Sequence, residues 1–181
     1  MAIKIKIGVM GSAEEAAAPE TNEIAKALAR EIGVRELILL TGATTGLVYL
    51  IGKTARESGA FHLGVSPGAN EREHTELYRL PTDACDAIVY TGFGLKGRNV
   101  VLVRSCDVVL FVAGSIGSLN ELTIAYDEGK IIGCLTGTGG VADAAQEIVA
   151  RLRKPTESRI VFNKDPKELL SQCLEMYERE R

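Results

Sequence analysis

The sequence has little net charge, few cysteines and no long hydrophobic run. None of its apolar segments approaches the roughly 18 residues that a membrane-spanning helix needs. Its N-terminus, MAIKIKIGVMG, lacks the continuous apolar stretch of a signal peptide, so we expect no membrane partner. The four cysteines, Cys85, Cys106, Cys134 and Cys173, have no C-x-x-C spacing. Three of them lie in or beside apolar runs, so we expect buried, reduced thiols rather than a metal site. Reduced thiols indicate a cytoplasmic protein.

The charge balance argues against nucleic acid as a partner. The formal net charge is −3 over 181 residues, so the chain has no overall basic field that would attract nucleic acid. A hydrophobic fraction of 46% and a charged fraction of 25% are typical of a globular protein with a substantial core. No linker, repeat or low-complexity segment divides the chain, so residues 1–181 are predicted to form a single domain.

Strand and helix patterns alternate along the whole chain. We predict seven strands, at Ile3–Met10, Glu36–Leu40, Phe61–Val65, Ala87–Tyr90, Val108–Val112, Ile131–Leu135 and Arg159–Phe162. Six helices are predicted at Pro19–Ile32, Thr45–Ser58, Arg98–Ser105, Ser118–Glu128, Gly140–Leu152 and Pro166–Glu180. This alternation predicts an α/β fold with a doubly wound, mainly parallel, Rossmann-like sheet. The polar stretch 66–86 is the one long irregular segment.

Glycine-rich turns follow the predicted strands and should lie together along the carboxyl edge of the sheet. A turn that runs into a helix presents backbone amides and the positive helix end to a ligand, which suits a phosphate. The predicted phosphate-binding residues are Gly114, Ser115, Ile116, Gly117 and Ser118 in one turn, Gly42, Thr44, Thr45 and Gly46 in a second, and Gly11 and Ser12 in a third. We expect no other cofactor and no metal site. His62 lies within a predicted strand and is expected to be a buried core histidine.

Two charged residues near this edge have alternative explanations. Glu121 stands three residues after Ser118, and this S-x-x-E spacing is that of a capping box at a helix start. A carboxylate there can also stabilise the charge that develops in glycosidic cleavage. Arg98 is predicted in the first turn of a helix, where a cation opposes the helix dipole. It is either a surface residue paired with a glutamate or a ligand for an anion, and Lys96 is a weaker candidate for the second role.

The segment from Arg98 to Glu121 resembles the LOG family, which comprises nucleoside 5′-monophosphate phosphoribohydrolases formerly described as lysine decarboxylases. The pattern of that family is an Arg-Lys pair on a helix, then a strand, then P-G-G-x-G-T-x-x-E. Here the pair is Arg98–Asn99, and residues 113–121 are AGSIGSLNE. The earlier turns agree in layout, with GS at 11–12, TGATTGL at 41–47 and GVSP at 64–67.

The resemblance implies a site and two alternative functions. In the hydrolase, Arg98 clamps the phosphate or the ribose, and Glu121 faces the ribose as the catalytic carboxylate. The sequence departs from the hydrolase pattern at Asn99, Ala113, Ser115 and Ser118, which favours the Rossmann-like branch of the superfamily that includes molybdenum-cofactor carrier proteins. The GTGG run at 137–140 is also familiar in that branch. We therefore expect a carrier or sensor of a phosphorylated, nucleotide-like molecule, with a LOG-like phosphoribohydrolase as the alternative. The resemblance further implies a homo-oligomer, either a dimer or a tetramer.

Overall fold

The computed structural model describes residues 4–13, 18–152 and 154–180, and these residues form seven strands and six α-helices in alternation. The strands are β1 (Lys6–Gly11), β2 (Ile38–Thr41), β3 (Phe61–Ser66), β4 (Ala87–Tyr90), β5 (Val108–Val112), β6 (Ile131–Leu135) and β7 (Arg159–Asn163). The helices are α1 (Pro19–Val34), α2 (Gly46–Glu57), α3 (Gly94–Arg104), α4 (Ile116–Asp127), α5 (Gly140–Leu152) and α6 (Pro166–Glu180). Ile3, the predicted first residue of β1, lies outside the described residues.

The seven described strands form one sheet in the order β4-β3-β2-β1-β5-β6-β7, and each of their pairings is parallel. The chain adds strands outward from β1 to β4 and then returns to place β5 beside β1. The strand order reverses at that point, and in open parallel sheets the crevice at such a reversal is the usual ligand site. The predicted doubly wound α/β fold is confirmed.

Helices cover both faces of the sheet. α1, α2 and α6 pack on one face, where they meet strand residues such as Ile7 and Leu110. α3, α4 and α5 pack on the other face, against residues such as Val109 and Phe111. Every residue of β5 is buried, which explains why its sequence is a continuous apolar run rather than an alternating one. Within the described ranges, no helix is long and apolar enough to cross a membrane.

Two helices begin earlier than the sequence predicts, and both shifts affect the carboxyl edge of the sheet. α3 begins at Gly94 rather than at Arg98, and α4 begins at Ile116 rather than at Ser118. Each helix has a glycine in its first turn, and the weak helix propensity of glycine conceals the start of a helix in the sequence. Arg98 is therefore the fifth residue of α3, beyond the first turn where it would oppose the helix dipole.

The segment between β3 and β4 contains one short π-helical turn, Glu73–Leu77, and it is anchored by two buried histidines. His62 donates from Nδ1 to Ala84 O (2.6 Å), because a carbonyl oxygen can only accept. Its Nε2 is left to accept a hydrogen bond from Thr41 Oγ1 (2.8 Å). His62 is buried as predicted, and it links the end of β2 to the segment before β4.

His74 repeats this arrangement one strand further along the sheet. Its Nε2 donates to Pro81 O (3.1 Å), and its Nδ1 accepts from Ser66 Oγ (2.8 Å). Both hydroxyl groups also accept a hydrogen bond from the backbone amide two residues later in the chain. Thr41 Oγ1 accepts from the amide of Ala43 (3.2 Å), and Ser66 Oγ accepts from the amide of Gly68 (3.0 Å). We call these two arrangements the histidine bridges. The His62 bridge needs a neutral imidazole, since a protonated ring could no longer accept from the hydroxyl.

The His62 bridge makes the stability of the fold depend on pH. Burial lowers the pKa of His62, and Arg56 lowers it further, while the bond to Ala84 and the charge of Asp86 partly oppose this shift. In the unfolded chain the pKa returns to its ordinary value of 6.5. Protons then bind the unfolded state more readily, so the free energy of unfolding should fall as the pH drops through about 6.5.

Urea unfolding at pH 7.5, 6.5 and 5.5 measures this dependence. The variant His62→Gln should be less stable than wild type at pH 7.5, by about 1–3 kcal/mol for its disturbed buried bonds. Its stability should also vary less between pH 7.5 and 5.5, because the titrating group has been removed. A wild-type stability that stays constant over this range would contradict the assignment of a neutral, buried His62.

Candidate functional site

An open cleft of about 210 Å³ lies at the carboxyl edge of the sheet, where the strand order reverses between β1 and β5. Its walls come from the ends of β1 and β2, the loop after β5, and the first turns of α3 and α4. The predicted site residues that line it are Gly11, Gly42, Thr44, Arg98, Ser115, Ile116, Gly117, Ser118 and Glu121. All three of the predicted glycine-rich turns therefore contribute to one cleft.

Four predicted site residues do not line this cleft, namely Ser12, Thr45, Gly46 and Gly114. Thr45 and Gly46 face a separate surface pocket beside α2. Thr45 Oγ1 donates to Ala13 O (2.8 Å), and Ser12 O accepts from the amide of Leu47 (3.0 Å). These contacts hold the loop after β1 against the start of α2, so the structure gives the two turns a role in shaping the cleft.

The N-terminus of α4 forms one wall of the cleft. Ser115 precedes the helix in an extended conformation, and its side chain makes no capping bond. The first amides of α4 have no partner within the helix and are available to an anion. The predicted capping box is wrong, because Ser118 is the third residue of α4 and its Oγ donates instead to Gly11 O (3.2 Å). Glu121 therefore has no capping role.

The loop between β5 and α4 is held in a left-handed conformation. Its first two residues, Ala113 and Gly114, have φ angles of 53° and 101°. The Ala113 amide donates to Thr138 Oγ1 (2.8 Å). Two amides at the start of α5, those of Val141 and Ala142, donate to the carbonyls of Gly114 and Ala113 (3.0 Å each). The conformation of this loop is thus imposed from the neighbouring loop and helix.

The run Gly137–Gly140 supports that loop rather than forming a second anion site. The amides of Gly137 and Gly139 donate to the two carboxylate oxygens of Asp143 (2.6 and 2.9 Å). An internal carboxylate therefore already occupies the position where an external anion would bind. In this chain, the GTGG run that is familiar from the molybdenum-cofactor carrier branch therefore supports the loop between β5 and α4.

Arg98 and Glu121 form a buried ion pair at the cleft. Their side chains are only 6% and 8% exposed, and Arg98 Nη1 donates to Glu121 Oε1 at 3.1 Å. The same Nη1 donates to Asn99 Oδ1 (2.9 Å), and Asn99 Nδ2 donates to Asn120 Oδ1 (2.8 Å). Arg98 is thus paired with a glutamate, as one of the two hypotheses held, but in a buried position rather than on the surface. The two asparagines fix the guanidinium in place.

The ion pair leaves hydrogen-bonding capacity unused. Among the described residues, Arg98 Nε is buried without a hydrogen-bond partner. A buried donor of this kind costs about 1–3 kcal/mol when it stays unpaired. Only one of the two carboxylate oxygens of Glu121, Oε1, takes part in the hydrogen bonds of the described residues. An arginine with unfilled donors beside an uncapped helix start is an arrangement that an anionic ligand can complete.

Burial dominates the electrostatics of the pair. It raises the pKa of Glu121, and the charges of Arg98 and Lys96 oppose this rise. Burial also lowers the pKa of Arg98, against the effect of Glu121. An arginine stays protonated in proteins, so Glu121 is the member of the pair whose proton uptake can change. Arg98 and Lys96 give the cleft two cations against one carboxylate.

Gly42 lies directly against the Arg98 guanidinium. A Cβ atom added to Gly42 would overlap Nη2 and Cζ of Arg98. The backbone of Gly42 is not left-handed, so its conformation does not require a glycine. The absence of a side chain at residue 42 is therefore explained by the space that Arg98 occupies.

Sequence reasoning missed two features of the cleft. Leu95 lines it, but the glycines around this residue concealed the first turn of α3. The contact between Asn99 and Asn120 was also missed, since Asn99 was noted only as a departure from the family pattern. The signal available in the sequence was the helical spacing of Lys96 and Asn99, three residues apart, which places both on the side of α3 that faces the cleft.

Comparison with known proteins identifies relatives over nearly the whole chain. The family model described as "SLOG cluster4 family" matches residues 4–170. An uncharacterised protein of Archaeoglobus fulgidus is 29% identical over 131 residues, which make up 72% of this chain and 80% of that protein.

Two solved structures extend the comparison to the fold. The molybdenum cofactor binding protein of Rippkaea orientalis is 27% identical, with 98% of both chains covered and a TM-score of 0.76. The Moco carrier protein of Chlamydomonas reinhardtii is 25% identical, with 98% of this chain and 99% of that chain covered and a TM-score of 0.75. These similarities confirm the branch that the departures from the hydrolase pattern and the GTGG run predict.

The contact between Gly42 and Arg98 predicts a coupled pair of substitutions. Gly42→Ala should lower the free energy of unfolding by about 1–3 kcal/mol, because its methyl group overlaps the buried guanidinium. In the Arg98→Ala background the same substitution should be nearly neutral, since the space is then vacant. Urea unfolding of the four proteins in this cycle gives the coupling energy. Equal effects of Gly42→Ala in both backgrounds would contradict the contact.

Proposed function

The chain belongs to the SLOG cluster4 family, and we propose that it binds a phosphorylated, nucleotide-like small molecule in the cleft, as a carrier or sensor. The observation that carries this proposal is the buried Arg98, with an unpaired Nε, beside the uncapped start of α4. Burying a charged side chain with an unfilled donor is costly, and an anion bound at the helix start offsets that cost.

The ligand phosphate is proposed to lie against the first turn of α4. The amides of this turn donate to it, and the positive end of the helix adds a favourable field. Lys96 lies close by, since its Nζ would be 3.5 Å from a Cβ atom added to Gly117. Two cations and one carboxylate leave a local charge of about +1, which suits a phosphate monoester.

The named relatives support the class of ligand. The proteins of Rippkaea orientalis and Chlamydomonas reinhardtii are described as a molybdenum cofactor binding protein and a Moco carrier protein. A nucleotide or a pterin-type cofactor that carries a phosphate is the class proposed for this chain. We propose the cytoplasm as its setting, because its four cysteines are free thiols.

Ala113 favours a carrier or sensor over a hydrolase. The hydrolase pattern has proline at this position, but a proline cannot adopt a φ of 53° and has no amide to donate to Thr138. The loop that leads into α4 is therefore built differently from a loop that contains proline. This difference affects the segment that would position a nucleotide phosphate for cleavage.

Glu121 is the observation that favours the second candidate function, phosphoribohydrolase activity. It lines the cleft, it has no capping role, and one of its oxygens is not engaged by Arg98. A carboxylate there could stabilise positive charge at the anomeric carbon while water replaces the base of a nucleoside monophosphate. The products would be the free base and ribose 5-phosphate.

Substitution of Arg98 tests the binding proposal. Titration calorimetry with AMP should show that Arg98→Ala weakens binding by about 1.5–3 kcal/mol, the value of a lost charged hydrogen bond. The double variant Arg98→Ala/Glu121→Gln keeps the cleft free of an unpaired buried charge, and it should also bind AMP more weakly than wild type. Arg151→Ala, on the exposed side of α5, is the matched control and should bind as wild type does. Unchanged AMP affinity in the double variant would contradict the proposal.

Substitution of Glu121 separates the two candidate functions. Glu121→Gln removes a negative charge near the proposed phosphate site, so AMP affinity should be kept or increased. For a carrier or sensor, neither wild type nor variant releases adenine from AMP in a chromatographic assay. Release by wild type that is lost in Glu121→Gln, with affinity preserved, would establish the hydrolase instead.

We propose that the protein is a homo-oligomer whose contacts involve α3 and α4. Leu102 and Val103 of α3 are buried in the core of one chain, but Val100 and Ile124 line a surface groove between the two helices. Light scattering at micromolar concentration should therefore report a dimer or a tetramer. Val100→Glu should shift this population towards monomer, because a carboxylate in an apolar contact is costly. A monomeric wild type would contradict the proposal.

A further inference from the structure

Two exposed aliphatic side chains lie at the edge of the cleft. Leu95, in the first turn of α3, is 48% exposed, and Ile116, the first residue of α4, is 72% exposed. Both also line the cleft that contains Arg98. Single exposed apolar residues are common, but two that line one cleft from different helices offer a ligand an apolar surface beside the charged pair.

Gly117 leaves a gap beside these two side chains. A Cβ atom added to it would meet only Lys96 Nζ, at 3.5 Å, and the residue does not have a left-handed backbone. Neither crowding nor conformation therefore requires a glycine here, although glycine in a helix costs about 0.5–1 kcal/mol relative to alanine. The absence of a side chain at Gly117 leaves the surface over the first turn of α4 open.

The size of the cleft indicates that part of the ligand lies in this gap. Its volume of about 210 Å³ is below the range of roughly 300–1,000 Å³ that is typical of small-molecule pockets. A phosphate and its sugar suit the part of the cleft beside Arg98, and the remainder of a nucleotide-sized ligand must extend outward. The surfaces that it meets there are those of Leu95, Gly117 and Ile116.

We propose that Leu95 and Ile116 form a subsite that holds a planar ring across Gly117. This inference rests on the proposed function, which supplies the phosphate at the start of α4. These two residues then recognise the flat heterocycle of the nucleotide-like ligand rather than its sugar phosphate. Aliphatic contacts are not specific for one heterocycle, so adenine and guanine should both gain from them.

AMP, GMP and ribose 5-phosphate are the probes that test the subsite, because ribose 5-phosphate has the same sugar and phosphate without the base. In titration calorimetry, AMP and GMP should bind wild type at least about tenfold more tightly than ribose 5-phosphate. Leu95→Ser and Ile116→Ser should each weaken AMP binding by about fivefold and leave ribose 5-phosphate binding unchanged. Gly117→Ala should fold normally and also weaken AMP selectively.

Leu77→Ser is the matched control, because Leu77 is 68% exposed at the end of the π-helical turn and does not line the cleft. It should bind all three probes as wild type does. If ribose 5-phosphate binds as tightly as AMP, or if Leu95→Ser and Ile116→Ser leave AMP affinity unchanged, the ring subsite is refuted while phosphate binding stands. If none of the probes binds to wild type, the proposed function itself is refuted.

Discussion

The burial of one arginine at the carboxyl edge of the sheet determines how the surrounding residues are arranged. A guanidinium out of water needs an opposing charge and hydrogen-bond acceptors, and Glu121 and Asn99 supply them from two different helices. Gly42 leaves the space that the guanidinium fills, and Asn120 fixes the orientation of Asn99. The pair holds α3 and α4 together at the point where the strand order reverses, so the walls of the cleft are positioned by the same interaction that supplies its charge.

The fold could be predicted from the sequence because its signals are local and repeated. Short apolar runs such as Val108–Val112 and the helical periodicity that follows them depend only on near neighbours in the chain, and the described strands fall where these patterns predict. The starts of α3 and α4 could not be placed in this way. Glycines weaken the helical pattern there, and the Ser118–Glu121 spacing matches a capping box although both side chains have partners elsewhere.

The candidate site was predictable as a set of turns but not as a set of contacts. Strand order brings Gly11, Gly42 and Ser115 to one edge, and this follows from topology alone. The bond between Arg98 and Glu121 joins residues 23 positions apart, and it depends on the rotation of two helices about their axes. Side-chain partners of this kind are fixed by tertiary packing, so the sequence left both Arg98 and Glu121 with two explanations, and for Glu121 the capping box proved wrong.

The fit of Arg98 against Gly42 links two positions that are far apart in the sequence. A residue with a Cβ atom at position 42 is compatible with this packing only if the side chain at position 98 is smaller or turned away. Among related chains, the two positions should therefore change together, and a side chain at position 42 should accompany loss of the arginine. This pairing gives a simple sequence marker that separates relatives with a buried arginine in the cleft from relatives without one.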